Sequence, residues 1–377
     1  MALAPGERLA VSTAIDRMSR YVQDADVISG TLSCVLGVRV RAADVTARAD
    51  AVRAYKRKLE ALLLSTGVPQ RTPAWYDARQ TMVTASDIAQ ALGCAKFGTQ
   101  RQFFQKKCGL PDEQTPFDAS IPPLKWGVMF EPVANEVYRA LNGGVVVHEF
   151  GLLRHPVLPF IGASPDGITE DGVMLEIKCP WRRKINGEVP LQYYYQIQGQ
   201  LDVCGLDECD YFECEFSASS LAAELAYEAA DPEAGGHDRG VFLELVEDGT
   251  SRYVYPPSAF RQVCDAAAWA TAAAAMAAPD AEAVHRWWRL EKAGTLRVER
   301  DGAFVASMVR DLGAVWQRVI AYRADRESYV RDICTAVEKK ATARPRSAAA
   351  LATATADASQ SQPMNDYAFV DDGEDDA

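Results

Sequence analysis

Apolar and polar residues alternate from Met174 to Cys179, so that Leu175, Ile177 and Cys179 face one way and Glu176 and Lys178 the other. The apolar set predicts a buried sheet face and leaves the two charges side by side on the opposite face. Upstream, Phe160–Ala163 reads as a short apolar strand. Glu170-Asp171-Gly172 reads as a loop, with glycine where a positive φ is needed. With those three residues as the loop, symmetry about Asp171 sets Asp166 opposite Glu176. A second alternating run, Tyr211–Phe216, sets Phe212, Cys214 and Phe216 against Tyr211, Glu213 and Glu215 and predicts another sheet strand.

Helical spacing appears around these strands. Trp126, Phe130, Val133, Val137 and Leu141 form an apolar stripe with Glu131 off its main line. Pro132 restricts that helix to a start near residue 128 or later, because proline is tolerated in a first turn. Thr84-Ala85-Ser86-Asp87 fits a capping box with Gly93 as the stop, which puts Ser86 in a first turn where free N–H groups attract anions. Arg79, a few residues earlier, offers a bidentate fork to a phosphate. Gln192, Gln196 and Gln200 share one helical face, with Tyr193 beside it.

These patterns divide the chain into four parts. Residues 1–68 read as helical, with Ala42–Leu64 rich in alanine, arginine and lysine and an end near Gly67. Residues 69–216 hold the strands and helices just described and predict an α/β core, a mixed central sheet flanked by helices. Residues 217–340 read as mainly helical, with one strand pair, Val241–Val246 and Ser251–Tyr255, joined at Glu247-Asp248-Gly249. An Ala-rich helix over about residues 258–278 follows, then Trp287-Trp288 as core, and one or two amphipathic helices over 303–340. From 341 onward, Ala, Thr, Ser and Gln with terminal acids read as a disordered acidic tail.

Composition changes this picture little. A length of 377 residues allows one elaborated domain or two. No apolar run approaches the roughly 18 residues of a membrane helix, and the opening Met-Ala-Leu-Ala-Pro-Gly-Glu-Arg lacks a signal pattern. The expectation is a soluble intracellular protein, in the cytoplasm or nucleus of a host cell if viral. Nine cysteines without a CxxC pair argue against a zinc or iron–sulfur cluster, and reduced thiols fit that compartment. The net charge of −12 speaks against a polyanionic partner, but residues 341–377 hold two arginines against seven acids, which leaves −7 for the body. Local basic groups remain in Arg101, Lys106-Lys107 and the run Arg182-Arg183-Lys184 after the acidic strand, which can follow a phosphate backbone.

The chemistry concentrates in residues 164–178. Paired β-carbons lie about 4.5–5.5 Å apart, so Asp166 and Glu176 can reach one ion. Repulsion between the two carboxylates raises one pKa unless a cation sits there. Mg²⁺ or Mn²⁺ suits carboxylate oxygens and keeps waters that a phosphate can displace. Lys178 is then placed to orient or help deprotonate the attacking water, or to stabilise charge on the phosphate. A Glu-x-Lys strand alone is ordinarily a solvated face; the Ser-Pro-Asp-Gly at hairpin distance reverses that reading.

Asp166 followed by Glu176-Ile177-Lys178 resembles the PD-(D/E)xK nuclease signature. The surrounding sequence resembles the lambda-type exonucleases and YqaJ-like viral recombinases in four ordered blocks: Trp75–Arg79 with Val83–Ser86; Trp126-Gly127 with Glu131; Ser164–Pro180; and Tyr194–Gln198. Together they cover roughly residues 70–216. The resemblance implies a PD-(D/E)xK (restriction-endonuclease-like) core and a Mg²⁺-dependent exonuclease that degrades one strand of duplex DNA in the 5′→3′ direction. It implies Asp166, Glu131, Glu176, Lys178 and Gln196 as catalytic residues, and Asp166, Glu176 and Ile177 as metal ligands. Arg79, Ser86 and Thr84 would bind the 5′-phosphate end, with Arg182, Arg183 and Lys184 on the DNA. By the same resemblance the partners are double-stranded DNA ends, a single-strand annealing protein and a ring-like homotrimer, with no membrane. An endonuclease or repair nuclease of the same superfamily, or a non-cutting DNA-binding protein, remains open at this point.

Overall fold

A computed structural model of the chain describes residues 5–334 apart from 66, 110–120, 231–237, 248, 258, 260, 261, 279 and 280. The expected acidic tail over 341–377 lies outside the described residues. Three helices open the chain, α1 (Pro5–Ser19), α2 (Ala25–Leu36) and α3 (Ala42–Leu63). They share a small core of Val11, Ile15, Ile28, Leu32, Val40 and Val45. Next come α4 (Pro73–Gln80), β1 (Val83–Thr84), α5 (Ile88–Ala91), α6 (Gln100–Cys108) and α7 (Pro122–Leu141). The strands β2 (Val147–His148), β3 (Leu153–Arg154), β4 (Ile161–Ala163), β5 (Gly167–Thr169) and β6 (Met174–Lys178) then lead to α8 (Leu191–Cys204) and β7 (Glu208–Ser219). The remainder is α9 (Leu221–Ala230), β8 (Arg239–Glu247), β9 (Thr250–Val254), α10 (Val263–Ala275), β10 (Glu282–Glu299), α11 (Gly302–Ala324) and α12 (Arg326–Tyr329).

The main sheet has the strand order β2–β5–β6–β7–β10–β8–β9, with β6 and β7 parallel and the other pairs antiparallel. A smaller sheet orders β1–β4–β3. This is the mixed α/β core that the alternation predicts. The period of two sorts β6 between two packing layers: Leu175, Ile177 and Cys179 join Phe130, Val133 and Val137 of α7, while Met174 joins the α8 side with Ile197 and Leu201.

Three expectations change. Residues 282–299 are not part of a mainly helical region; they form the longest strand, β10, which pairs with both β7 and β8. Its Trp287 and Trp288 are buried core residues, but the strand's alternation is masked because its arginines are satisfied by acids on β7, β8 and α9. Arg297 pairs with Asp210 at 2.6 Å, Arg286 with Glu244 at 2.5 Å and Arg289 with Glu224 at 2.9 Å. Second, α7 starts at Pro122, well before residue 128, and carries Pro132 in its interior. Burial of Met129, Phe130, Val133, Ala134, Val137 and Tyr138 on one side outweighs the lost hydrogen bond. Third, the capping box at Thr84 does not form, as the site geometry below explains.

Glu244 gives this sheet a pH dependence. Burial pushes its carboxyl up, but hydrogen bonds from Lys125, Ser251 and Arg286 more than offset that and hold it down to about 2 from an ordinary 4.5. A depressed carboxyl contributes stability that is present above its ordinary pKa and lost as pH falls through its folded value. Glu244→Gln is therefore expected to melt below the wild type at about pH 7, with the gap closing towards about pH 2. Thermal melts across that range check it; a gap independent of pH contradicts it.

Candidate active site

The hairpin of β5 and β6 closes as the sequence symmetry requires. Gly172 takes φ 78°, its N–H bonds to the Thr169 carbonyl at 2.7 Å, and Thr169 N–H bonds to the Val173 carbonyl at 2.8 Å. The ladder pairs Ile168 with Met174 and Gly167 with Leu175, so the next position out sets Asp166 against Glu176. Asp166 Oδ2 accepts the backbone N–H of Ile177 at 2.7 Å, which holds that carboxylate one residue from Glu176.

Helix α8 supplies the opposite wall. Gln196 and Gln200, one turn apart, donate to Glu176 Oε1 at 2.6 Å and Oε2 at 2.8 Å. Lys178 Nζ donates to Glu176 Oε1 and stands 4.9 Å from the Tyr193 ring centre. Tyr193, Gln196 and Gln200 thus form one helical face over the acids. Gln192, the third member of the predicted glutamine run, turns away and accepts the Lys96 N–H at 3.2 Å. Glu131 enters from α7, its Oε2 2.7 Å from Arg71 Nη2. Arg71 escapes a reading of the sequence because nothing local marks it; it has a φ of 63°, outside the range that most side chains favour. Gln200 does carry a signal, four residues beyond Gln196 on the same face.

The electrostatics are those of a site short of positive charge. Burial pushes the Asp166 carboxyl well up, and Glu176 and Glu131 push it further. Burial also raises Glu131, against the opposing pull of Arg71 and Lys178. For Lys178, burial disfavours the ammonium, yet Glu176 and Asp166 outweigh it and keep the group charged. Among the described residues no three His, Cys, Asp or Glu side chains group tightly enough to hold an ion by themselves. Asp166 and Glu176, side by side, are the carboxylates here whose chemistry suits a hard cation, which would need backbone or water oxygens to complete its shell. A cavity of about 710 Å³ opens beside this cluster, lined by Asp166, Glu131, Arg71, Asn135, Phe150 and Tyr255 among others.

A second cluster lies on α4 and the turn after β1. Thr72 caps α4, and Arg79 in its last turn stacks 4.2 Å over Trp75 and donates to Ser86 Oγ at 3.0 Å. Trp75 in turn donates to Ser164 Oγ at 3.1 Å, which ties this cluster to the link from β4 into the hairpin. Residues 85–87 form a short 3-10 turn ahead of α5, and Thr84 is buried. Its hydroxyl donates to Asp87 Oδ2 at 2.8 Å instead of accepting a helix N–H, because the Asp87 carboxylate is committed to Lys106 at 2.8 Å and Lys107 at 2.9 Å. Lys107 is buried and also holds the Arg79 carbonyl at 2.7 Å. Arg79 is left facing a hydroxyl; burial lowers its pKa, and no carboxylate hydrogen-bonds to it among the described residues.

The basic run behaves differently. Arg183 pairs with Glu213, Lys184 with Glu215 at 2.9 Å, and Arg182 stacks 4.1 Å over Trp181. Arg183 and Lys184 thus lie along the acidic face of β7, with the Lys184 side chain 84% exposed.

A mixed α/β sheet with two carboxylates, a lysine and two glutamines converging at one hairpin defines the class. Residues 74–207 match the family model of the YqaJ-like viral recombinase domain. It is 27% identical over 225 residues to protein R354 of Acanthamoeba polyphaga mimivirus, across 50% of this chain and 40% of that one. It is also 27% identical over 160 residues to a protein of African swine fever virus (strain Badajoz 1971 Vero-adapted), across 35% and 45%. The match thus spans less than half the length of these relatives. Among solved structures, the alkaline exonuclease LHK-Exo of Laribacter hongkongensis aligns with a TM-score of 0.41 and 20% identity, covering 70% of this chain and 100% of that one. A phage-related exonuclease of Haemophilus somnus 129PT gives 0.39 and 11%, covering 66% and 96%. No helix among the described residues is long and apolar enough to cross a membrane.

Proposed function

We propose that this protein is a metal-dependent DNA exonuclease that hydrolyses one strand of a linear duplex from its 5′ end. The observation that carries the reading is the convergence of Asp166, Glu176, Lys178 and Gln196 at a hairpin tied through Trp75 and Ser164 to an arginine that lacks a carboxylate hydrogen-bond partner among the described residues. Asp166 and Glu176, with the Ile177 backbone, hold Mg²⁺, with Mn²⁺ as its substitute. When bound, that ion polarises the phosphate and acidifies a water.

The remaining work falls to the chain itself. Arg79 and Ser86 take the terminal 5′-phosphate, for which a half-buried guanidinium beside an exposed hydroxyl is suited. Lys178 stays protonated and supplies positive charge to the phosphate in flight; Glu176 and Tyr193 fix its position, and Gln196 holds Glu176 in turn. Water adds to phosphorus as the bond to the 3′-oxygen breaks, and the neighbouring cavity receives the departing nucleotide. Family likeness extends the proposal: the uncovered strand passes to a single-strand annealing protein, and a ring of three copies encloses the duplex.

Digestion of linear duplex with and without Mg²⁺, beside closed circular DNA, tests the reading. Linear DNA carrying a 5′-phosphate is expected to disappear and circles to persist; cutting of circles makes the protein an endonuclease. Loss of the Arg79 contact removes a charged hydrogen bond of about 2 kcal/mol, or about thirtyfold. Arg79→Ala is therefore expected to level the rates on 5′-phosphate and 5′-hydroxyl ends by that factor. Unchanged end preference would remove Arg79 from the role.

A further inference from the structure

The matched domain begins at residue 74, yet the tip of the acidic hairpin is gripped by helices that precede it. Asp171, at the turn, is buried with its carboxylate 2.7 Å from Arg20 Nη2, just beyond α1, and 3.2 Å from Lys56 Nζ of α3. The neighbouring Glu170 lies 3.9 Å from Arg20. Gly172 presses on α3 so closely that an added Cβ would fall 2.4 Å from Tyr55 Cβ and 2.9 Å from the Tyr55 carbonyl carbon. The same helices reach the start of β7, the parallel neighbour of β6. Arg48 pairs with Asp16 at 2.7 Å and with Glu208 at 2.5 Å, and Lys58 meets Asp207 at 2.8 Å. A small polar cavity of about 30 Å³ lies along this seam, walled by Asp16, Arg20, Asp171, Asp210 and Arg297 among others.

The lever arm matters. Asp171 stands five residues after Asp166 and five before Glu176, on a hairpin whose ladder has only two pairs, Gly167–Leu175 and Ile168–Met174. So short a ladder leaves the relative placement of its two carboxylates to the Asp166–Ile177 hydrogen bond, to the pairing of β6 with β7 and to whatever holds the hairpin's two ends. One end is held by α8 through Gln196 and Gln200; the other is held by Arg20 and by α3. We propose that the N-terminal helices are a positioning clamp for the acidic hairpin, with Asp171, Arg20 and Lys56 as the positioning residues that set the Asp166–Glu176 spacing. The clamp rests on the reading of that pair as a metal site, and its residues touch neither substrate nor metal.

Full-length Asp171→Asn, which keeps the shape and removes the charge, tests this against Lys56→Met as the milder variant at a half-exposed position. Three measurements are made: Mg²⁺ affinity by calorimetry, hydrogen–deuterium exchange over residues 174–179, and kcat and KM on linear duplex. Support of ligands from outside the site is worth about tenfold or more in metal affinity or rate. Asp171→Asn is expected to weaken Mg²⁺ binding and lower kcat by about tenfold with KM little changed, and to speed exchange at Ile177, whose N–H holds Asp166. Arg20→Lys should restore most of what Arg20→Gln loses. Wild-type Mg²⁺ affinity and wild-type exchange in folded Asp171→Asn overturn the clamp, and a lowered melting temperature without those two changes does the same. If the wild type neither binds Mg²⁺ nor cuts DNA, the metal-site reading fails instead, and the exchange measurement still decides whether the helices hold the hairpin.

Discussion

Asp166→Ala is expected to lower hydrolysis of linear duplex by about a thousandfold or more, since several kcal/mol of charge stabilisation at the phosphate depends on that ligand. Its effect on folding should be small, because two consequences oppose each other. Removal relieves a buried carboxyl that Glu176 and Glu131 repel, but it also leaves the Ile177 N–H without its acceptor. Rates on 5′-phosphorylated duplex, with melting curves of both proteins in chelator, separate chemistry from stability. A variant that melts with the wild type but retains about a tenth of its rate, a loss of only about 1.4 kcal/mol, would show that Asp166 is not a metal ligand.

Lys178→Met should cost about a hundredfold to a thousandfold in kcat, the range seen when one preorganised donor is removed. The sign of its pKa shift adds a second test. Burial works against the ammonium, but Glu176 and Asp166 raise the Lys178 pKa overall, so the group is protonated throughout the neutral range and serves as a cation. The pH–rate profile of Lys178→Met is therefore expected to run parallel to that of the wild type below about pH 9, and Lys178→Arg should keep part of the activity. Loss of an ascending limb in Lys178→Met would instead make the lysine a general base.

What can be read from the sequence follows from the range of each signal. The hairpin register is legible because it depends on residues within a dozen positions: an alternating strand, a glycine at positive φ and the symmetry between them. Arg79 and Ser86, seven residues apart, do meet, and the helical face of Gln196 and Gln200 does turn to the acids, where it binds Glu176. The failures share another cause. β10 hides its period because Arg286, Arg289 and Arg297 are neutralised by acids far away in sequence. Thr84 loses its cap to Asp87, whose two lysines sit on a different helix. Charges paired across long distances in sequence leave no periodic trace, so patterns that detect apolar faces miss them.

The pairing of β6 with β7, and of β7 in turn with β10, bears on how this protein can be cut into pieces. The recognisable domain stops at residue 207, one position short of β7. A gene fragment trimmed to that boundary would present the whole flank of β6 as open backbone, an invitation to intermolecular stacking and inclusion bodies. Expression should instead run through β10, because the sheet rather than the homology defines the smallest unit that stays dispersed.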